Sequence, residues 1–437
     1  MLEIHRTHQA KICNHSQVAD SLDHHGWSAS KLWNVANYYA RQQWDETGEI
    51  PDHKDLKHEL KDHTKYNGLH SQSSQRVLEE LAESFTSWYK SDDDRDNPPG
   101  YRKRNYYDQD GNRVHEEHPR STVTWKQKGF KHDQKHNKIR LSKGANHKEH
   151  PRAREYMLVE YETRPDVTVE NVQQVRAVYD NAKGRWTLHI VCKDEIETSD
   201  PPGSETAGID LGICNFAAVA YSTDKADLYP GNRLKQDGYY FPKEIAKCDD
   251  AGGERATRLH AKWSERRAHF FHSLAKHIVE RCVEKEVGRI SIGDLEGVRE
   301  DKDGVAKNWG RHGNLDLHGW AFNRFSNILT YKAKVEGIDV EKVDEQGTSR
   351  MCCVCGKTDE NQRVERGLYV CEEHGDAFNA DVNGAENIRL DINESNAESS
   401  ASLDEDRCTG WLAQPAVYLY DLSCGFQPQT EVVDCRP

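Results

Sequence analysis

The chain alternates between two hydrophobic periods. Residues 1–14 (LEIHRTHQAKIC) suit one strand. From about 16 to 95 the apolar residues fall at helical spacing, in KLWNVANYYARQQW and then SQRVLEELAESFTSWYK. SDDDRDNPPG breaks that pattern at 91–100. Strand-like runs follow: STVTW, NKIRLS, EYMLVEYE, VQQVRAVYD and WTLHIVCK. A β-barrel with a helical insertion after its first strand accounts for this order: barrel at 1–15 and 96–200, insertion at 16–95. DEIETSDPPGSE (194–205) reads as a linker.

A second α/β unit starts at Thr206. AGIDLGICNFAAVAYS predicts a two-stranded hairpin. A long helix over roughly 254–286 carries Leu259, Trp263, Phe270, Leu274 and Ile278 on one face, and VGRISIG is a short buried strand. A Gly- and Asp-rich loop (294–318) leads to the helix WAFNRFSNILTYKAKVEG and the strand IDVEKVD. A cysteine cluster follows at 347–376, then a helix beginning near Asp381 within 377–392. The stretch 393–437 is acidic, Ser- and Asn-rich at its start, and expected to be largely disordered. The helical aromatics Trp33, Tyr38, Tyr39 and Trp88 read as core.

Composition narrows the functional classes. Of 437 residues, 35% are hydrophobic and 31% charged, and no run approaches the roughly 18 apolar residues of a membrane span. The charged N-terminus carries no secretory pattern, so a cytoplasmic protein is expected. The net charge of −14 runs against nucleic-acid binding, but it is uneven. Segment 100–154 carries 15 Lys or Arg against 6 Asp or Glu, whereas 391–437 carries nine acids against Arg407 and Arg436. An acidic surplus of this kind also fits a halophile, where a Debye length of about 3 Å screens repulsion of phosphate.

Of the 12 cysteines, only Cys352, Cys353, Cys355 and Cys371 cluster. Cys352-x2-Cys355 and Cys371-x2-His374 each fit a knuckle offering two ligands to one tetrahedral zinc ion, and the 15 residues between them fit a hairpin. Gly356 and Gly375 supply the turn freedom after each knuckle. Four protein ligands make a structural site. Cys353 stands at the wrong spacing to join.

Asp210 lies in GIDLG. In a strand, Ile209, Leu211 and Ile213 face one way, and Gly208, Asp210 and Gly212 the other. A carboxylate flanked by glycines leaves room for a metal and a phosphate backbone. A turn-capping Asp is the plainer reading, and Asp381 in DVNGAENI is open to a plain helix N-cap role. The order of parts follows an RNase H-like plan, whose phosphodiester hydrolysis needs two or three carboxylates around Mg²⁺.

The chain resembles the TnpB (OrfB) family, RNA-guided nucleases of insertion sequences related to type V CRISPR effectors. The residues that carry the resemblance are GIDLG at 208–212; RRxxFxHxL at 266–274; Trp320, Phe325, Leu329 and Tyr331-Lys332-Ala333 through Gly337; Thr348-Ser349; and Asp381-x-Asn383-x-Ala385-x-Asn387-Ile388. The match spans about 206–390 and is weaker upstream. It implies a multidomain α+β chain: an N-terminal wedge-like β-barrel with a helical recognition insertion, then a RuvC-like domain (206–346 and 377–392) with an inserted zinc ribbon. It implies Asp210 and Asp381 as first and third magnesium-binding acids. The family has a Glu directly after the central strand, where this chain has Gly293. Asp294, with Glu296 as substitute, is the expected second acid, and Asp344 and Glu345 are further substitutes. By resemblance, Arg102, Lys103, Arg104 and Tyr106 would contact nucleic acid. The partners implied are a guide RNA from the transposon end and double-stranded target DNA cut beside a short flanking motif. The alternative is a weakened or dead nuclease acting as a guided repressor or transposition accessory. A strand-joining transposase is disfavoured by the lack of a His-hydrophobic-His pair with a nearby Tyr. The sequence does not set the oligomeric state.

Overall fold

The computed structural model describes residues 2–91, 97–102, 104–107, 113–117, 119–148, 155–196, 198–212, 214–250, 252–294, 322–344, 347–358, 364–365, 367–391 and 409–429. The chain divides into two compact units, Glu3–Glu195 and Ile196–Pro437, the latter joined by Met1–Leu2.

In the first unit, strand β1 (Leu2–Ile12) is followed by helices α1 (His15–Thr47), α2 (His53–Leu60) and α3 (Ser71–Tyr89). The short strands β2 (Arg104–Tyr107) and β3 (Arg113–Glu117) form a separate ladder. Strands β4 (Val123–Lys126), β5 (Phe130–Asp133), β6 (Lys138–Ser142), β7 (Tyr156–Glu162), β8 (Val172–Asp180) and β9 (Arg185–Ile196) complete a seven-stranded sheet with β1. Its order is β4-β8-β9-β1-β7-β6-β5, and helix α4 (Ala145–Lys148) follows β6. In β7 burial alternates, with Met157, Val159 and Tyr161 inward, as period-2 patterning demands. Trp125, Trp186, Leu188 and Leu22 lie in the same core. Trp33 is buried as expected, but Tyr38 is 57% exposed, because it lies off the apolar stripe of α1.

The second unit is built on another seven-stranded sheet, ordered β14-β13-β10-β11-β12-β17-β18. Its strands are β10 (Glu205–Asp210), β11 (Asn215–Tyr221), β12 (Lys225–Pro230), β13 (Val287–Asp294), β14 (Asp339–Asp344), β17 (Ala416–Asp421) and β18 (Gly425–Pro428). β10 runs antiparallel to β11 and parallel to β13, and β13 runs parallel to β14. The expected hairpin is therefore a three-stranded meander, followed by helix α5 (Asn232–Ile245). Helices α6 (Glu254–Glu284) and α7 (Phe322–Val335) share a core with one sheet face. Phe216 is central there: it stacks on Phe322 and meets Phe270 and Phe325 edge-on. A register irregularity between Asn215 and Ala217 puts Phe216 and Ala217 into the same core. Helix α8 (Ala380–Arg389) packs on the opposite face, with Val382 and Ala385 against Ala218, Ala220 and Leu228.

The expected disorder of 393–437 is corrected for 409–429. This stretch forms helix α9 (Gly410–Ala413) and the β17–β18 hairpin, with β17 parallel to β12. Averaged composition hid it. A six-residue strand, AVYLYD, is short, yet Tyr418 and Phe426 pack on the buried Tyr229. Residues 393–408 lie outside the described residues.

Candidate nuclease site and zinc ribbon

The ribbon starts from two similar turns. Gly356 N–H donates to the Cys352 carbonyl at 2.9 Å, and Gly375 N–H to the Cys371 carbonyl at 2.8 Å. Both glycines take positive φ, 71° and 74°, which a side chain would strain. The turns bring together Cys352, Cys355, Cys371 and His374, whose ligand atoms all lie within 4.8 Å of one another. Cys355 Sγ and Cys371 Sγ are 3.7 Å apart, close to the ~3.8 Å edge of a tetrahedron with Zn–S bonds near 2.3 Å. Three soft sulfurs and an imidazole suit zinc. Burial pushes the Cys352 thiol up to about 12, and the neighbouring Cys355 and Cys371 add to the rise. A bound dication would reverse this and hold the sulfurs as thiolates. Cys353 takes no part; it is buried, with its N–H donated to Asn383.

The second knuckle lies between β15 (Leu368–Val370) and β16 (Ala377–Asn379), which pair antiparallel. β16 runs directly into α8. The N-cap of α8 is Asn379, whose side chain accepts from the N–H groups of Asp381 and Val382. The plain N-cap reading of Asp381 is thereby excluded. Asp381 stands in the first turn, and its Oδ2 accepts from Asn215 Nδ2 at 2.8 Å.

Helix α8 approaches β10 closely where a glycine stands on each side of the contact, Gly208 on the strand and Gly384 on the helix. A Cβ on Gly208 would lie 2.1 Å from the Ala385 carbonyl oxygen. A Cβ on Gly384 would lie 2.9 Å from Asp210 Oδ2. The Asp210 carboxylate thus rests against α8 one turn beyond Asp381, while Ile209 and Leu211 are buried. Asn215, at the start of β11, holds Asp381 on this side. Sequence reading missed Asn215, since it is 166 residues from Asp381 and belongs to no motif.

The expected second acid, Asp294, does not join them. Ile209 pairs with Ile292 and Gly208 with Ser291, so the next step of the ladder sets Gly293 beside Asp210. Asp294 points to the other face by strand alternation. Its carboxylate lies 3.3 and 3.4 Å from Lys342 Nζ. Asp344 pairs with Asp294 and follows the same alternation. Among the described residues, the ribbon is the one group of three or more His, Cys, Asp or Glu whose ligand atoms converge. Glu296 and Glu345 lie outside the described residues. Asp210 and Asp381 offer hard oxygen donors suited to Mg²⁺, but they are two where the chemistry uses two or three.

Of the expected nucleic-acid contacts, Arg102 lies against the helices of the first unit. Its guanidinium lies 3.7 Å over the Trp33 ring and 3.9 Å from Glu80, and burial lowers its pKa. It packs between the Trp33 face of α1 and Glu80 of α3. Arg104 and Tyr106 fall on β2, and Lys103 lies outside the described residues.

A family model described as "Probable transposase" (OrfB of IS605 type) matches residues 189–299, and one described as "Cas12f1-like, TNB domain" matches 322–388. The TnpB-like protein ORF457 of Acidianus two-tailed virus is 27% identical over 248 residues, 49% of this chain and 52% of its own. The CRISPR-associated endodeoxyribonuclease Cas12f1 of Sulfoacidibacillus thermotolerans is 26% identical over 241 residues, 50% of this chain and 53% of its own. The putative RNA-guided DNA endonuclease InsQ of Escherichia coli strain K12 is 25% identical over 240 residues, 50% of this chain and 58% of its own. The chain spans about half the length of the curated relatives it matches. A solved Cas12f1–sgRNA–target DNA complex has a protein chain that superposes with a TM-score of 0.56 at 15% identity, covering 85% of this chain and 82% of that one.

The fold is therefore that of the Cas12f-type proteins, a multidomain α+β architecture. Within that class the chain is similar, over the two matched stretches, to the OrfB transposase and Cas12f1-like TNB family models and to TnpB-like proteins.

Proposed function

We propose that this protein is a guide-RNA-dependent, Mg²⁺-dependent DNA endonuclease of a transposon, cutting target DNA beside a short flanking motif by RuvC-type hydrolysis. The observation that carries this reading is the placing of Asp210 against Gly384, one helical turn from Asp381, with Asp381 held by Asn215. The relatives named above as a CRISPR-associated endodeoxyribonuclease and a putative RNA-guided DNA endonuclease support it. Asp210 and Asp381 would hold the ion, which supplies an activated water and stabilises the leaving oxygen. With Asp294 turned away, Glu296 is the proposed second acid. The first unit would act as a wedge-like barrel with α1–α3 as its recognition helices, and Lys103, Arg104 and Tyr106 would touch nucleic acid. Base pairing with a guide RNA from the transposon end would read the sequence, with the protein reading shape and flanking motif. Such a protein would work in the cytoplasm.

The test is cleavage of matched double-stranded DNA by protein purified with its co-expressed RNA. Cutting should need Mg²⁺, vanish in Asp210→Ala and in Glu296→Ala, and survive Asp294→Ala. Gly293 favours a second reading, guided binding without cutting, as a repressor or transposition accessory would show. Stable target binding with no cuts in the unaltered protein would select it.

A further inference from the structure

The first unit contains a cavity of about 300 Å³, at the small end of ligand sites. One wall is a single face of α1: His24, Trp27, Ser28 and Lys31, at helical spacings of three and four. The other wall is the turn before α3, with Thr64, Lys65 and Gly68, and Asn146 completes the lining. Asn146 is anchored by donating its side-chain amide to the Thr64 carbonyl at 3.0 Å. The turn sits tightly on its neighbour, since a Cβ on Gly144 would lie 2.5 Å from the Gly68 carbonyl.

The chemistry of the lining is one-sided. It holds two lysines, a histidine and four neutral hydrogen-bonding or backbone positions around one indole, and no carboxylate. Lys31 Nζ lies 3.4 Å over the Trp27 ring, and His24 meets that ring edge-on. Burial, then Lys31 and Lys143, hold His24 below its ordinary pKa, in keeping with a positive local field. A cavity lined by an indole and two lysines fits a planar base joined to a phosphate. A bare anion would leave Trp27 without a role, and a purely apolar ligand would leave Lys31 and Lys65 without one.

We infer that this cavity binds one unpaired nucleotide, its base on the Trp27 ring and its phosphate between Lys31 and Lys65. Lys31 moves off the ring to meet the phosphate, and Ser28, Thr64 and Asn146 offer hydrogen bonds to sugar or base edge. The site uses none of the carboxylates of the second unit, so it stands or falls apart from the nuclease reading.

Calorimetric titration of the full chain carrying Asp210→Ala, with AMP, dAMP, ribose 5-phosphate and inorganic phosphate as probes, tests this. AMP or dAMP should bind about tenfold or more tightly than ribose 5-phosphate, within what one stacked base contributes. Trp27→Leu should remove that advantage and Trp27→Phe should keep most of it, with thermal melting unchanged in both. Lys31→Gln with Lys65→Gln should weaken all four probes. A preference for AMP assigns the pocket to RNA, and a preference for dAMP to DNA. The inference is overturned if neither nucleotide binds, if ribose 5-phosphate binds equally well, or if the Trp27 and lysine variants bind as the parent does.

Discussion

The side-chain oxygen of Asn383 accepts the backbone N–H of Cys353 at 3.0 Å, while its amide nitrogen donates to the Met351 carbonyl at 2.7 Å. One turn later Asn387 donates to the carbonyls of Thr348 and Met351, both at 2.8 Å. Both asparagines are fully buried. They fasten the first zinc knuckle to the helix that carries Asp381. Asn383→Ala would take the Asn383 acceptor from the buried Cys353 N–H, at roughly 1–3 kcal/mol, and leave the Met351 carbonyl to Asn387 alone. We expect a clear drop in melting temperature together with faster zinc loss. An unchanged melt would dismiss the clamp.

Zinc itself should be present at close to one ion per chain, and Cys355→Ser should release it. Because the buried Cys352 thiol sits high, at about 12, binding must displace protons. Zinc retention should rise with pH, as read by metal analysis after dialysis at graded pH.

Two glycines separate stability from activity. Gly208→Ala sets a methyl into the Ala385 carbonyl and should destabilise by about 1–3 kcal/mol or more, as overpacking does. Gly384→Ala presses instead on the tip of the Asp210 side chain, which can rotate away. Its melt should stay near the parent's while cleavage falls. The reverse pattern would refute this assignment of the two contacts.

Asn215→Ala removes the donor to Asp381. We expect DNA cutting to slow by roughly tenfold, the scale of an interaction of about 1.4 kcal/mol, with Mg²⁺ needed at higher concentration. Asn215→Asp should be worse, since it sets a third negative charge beside Asp381 without a donor.

Burial lowers the pKa of His132, His189, His272 and His277 from the ordinary 6.5. Between the folded and unfolded values the unfolded chain binds more protons, so stability rises with pH across that window. Melting temperature should therefore fall as pH drops below about 6.5. A flat profile there would count against these partly covered rings being held neutral.

The legible parts of this molecule were those written locally. The two knuckles could be read because each ligand pair sits within four residues, and the meeting in space only confirmed a spacing. The placing of Asp210 against the helix of Asp381 could be read because glycines and asparagines mark their surroundings. Asn215 could not, because its partner comes from a helix beyond the ribbon. Asp294 was misplaced by a single residue: period 2 makes neighbours face opposite ways, and only the Ile209–Ile292 register decides which neighbour looks at Asp210. The β17–β18 hairpin was hidden because its packing partner, Tyr229, lies far upstream.

That hairpin also changes how the protein can be handled. Strand β12 has β11 on one side and β17 on the other. Trimming the chain after α8, as its acidic composition would invite, strips β12 bare and leaves Tyr229 and Leu228 beside a row of unpaired amides. Such an open border recruits strands from other molecules. A shortened form sought for compactness would trade a few dozen residues for a sticky seam, so miniaturisation has to begin elsewhere.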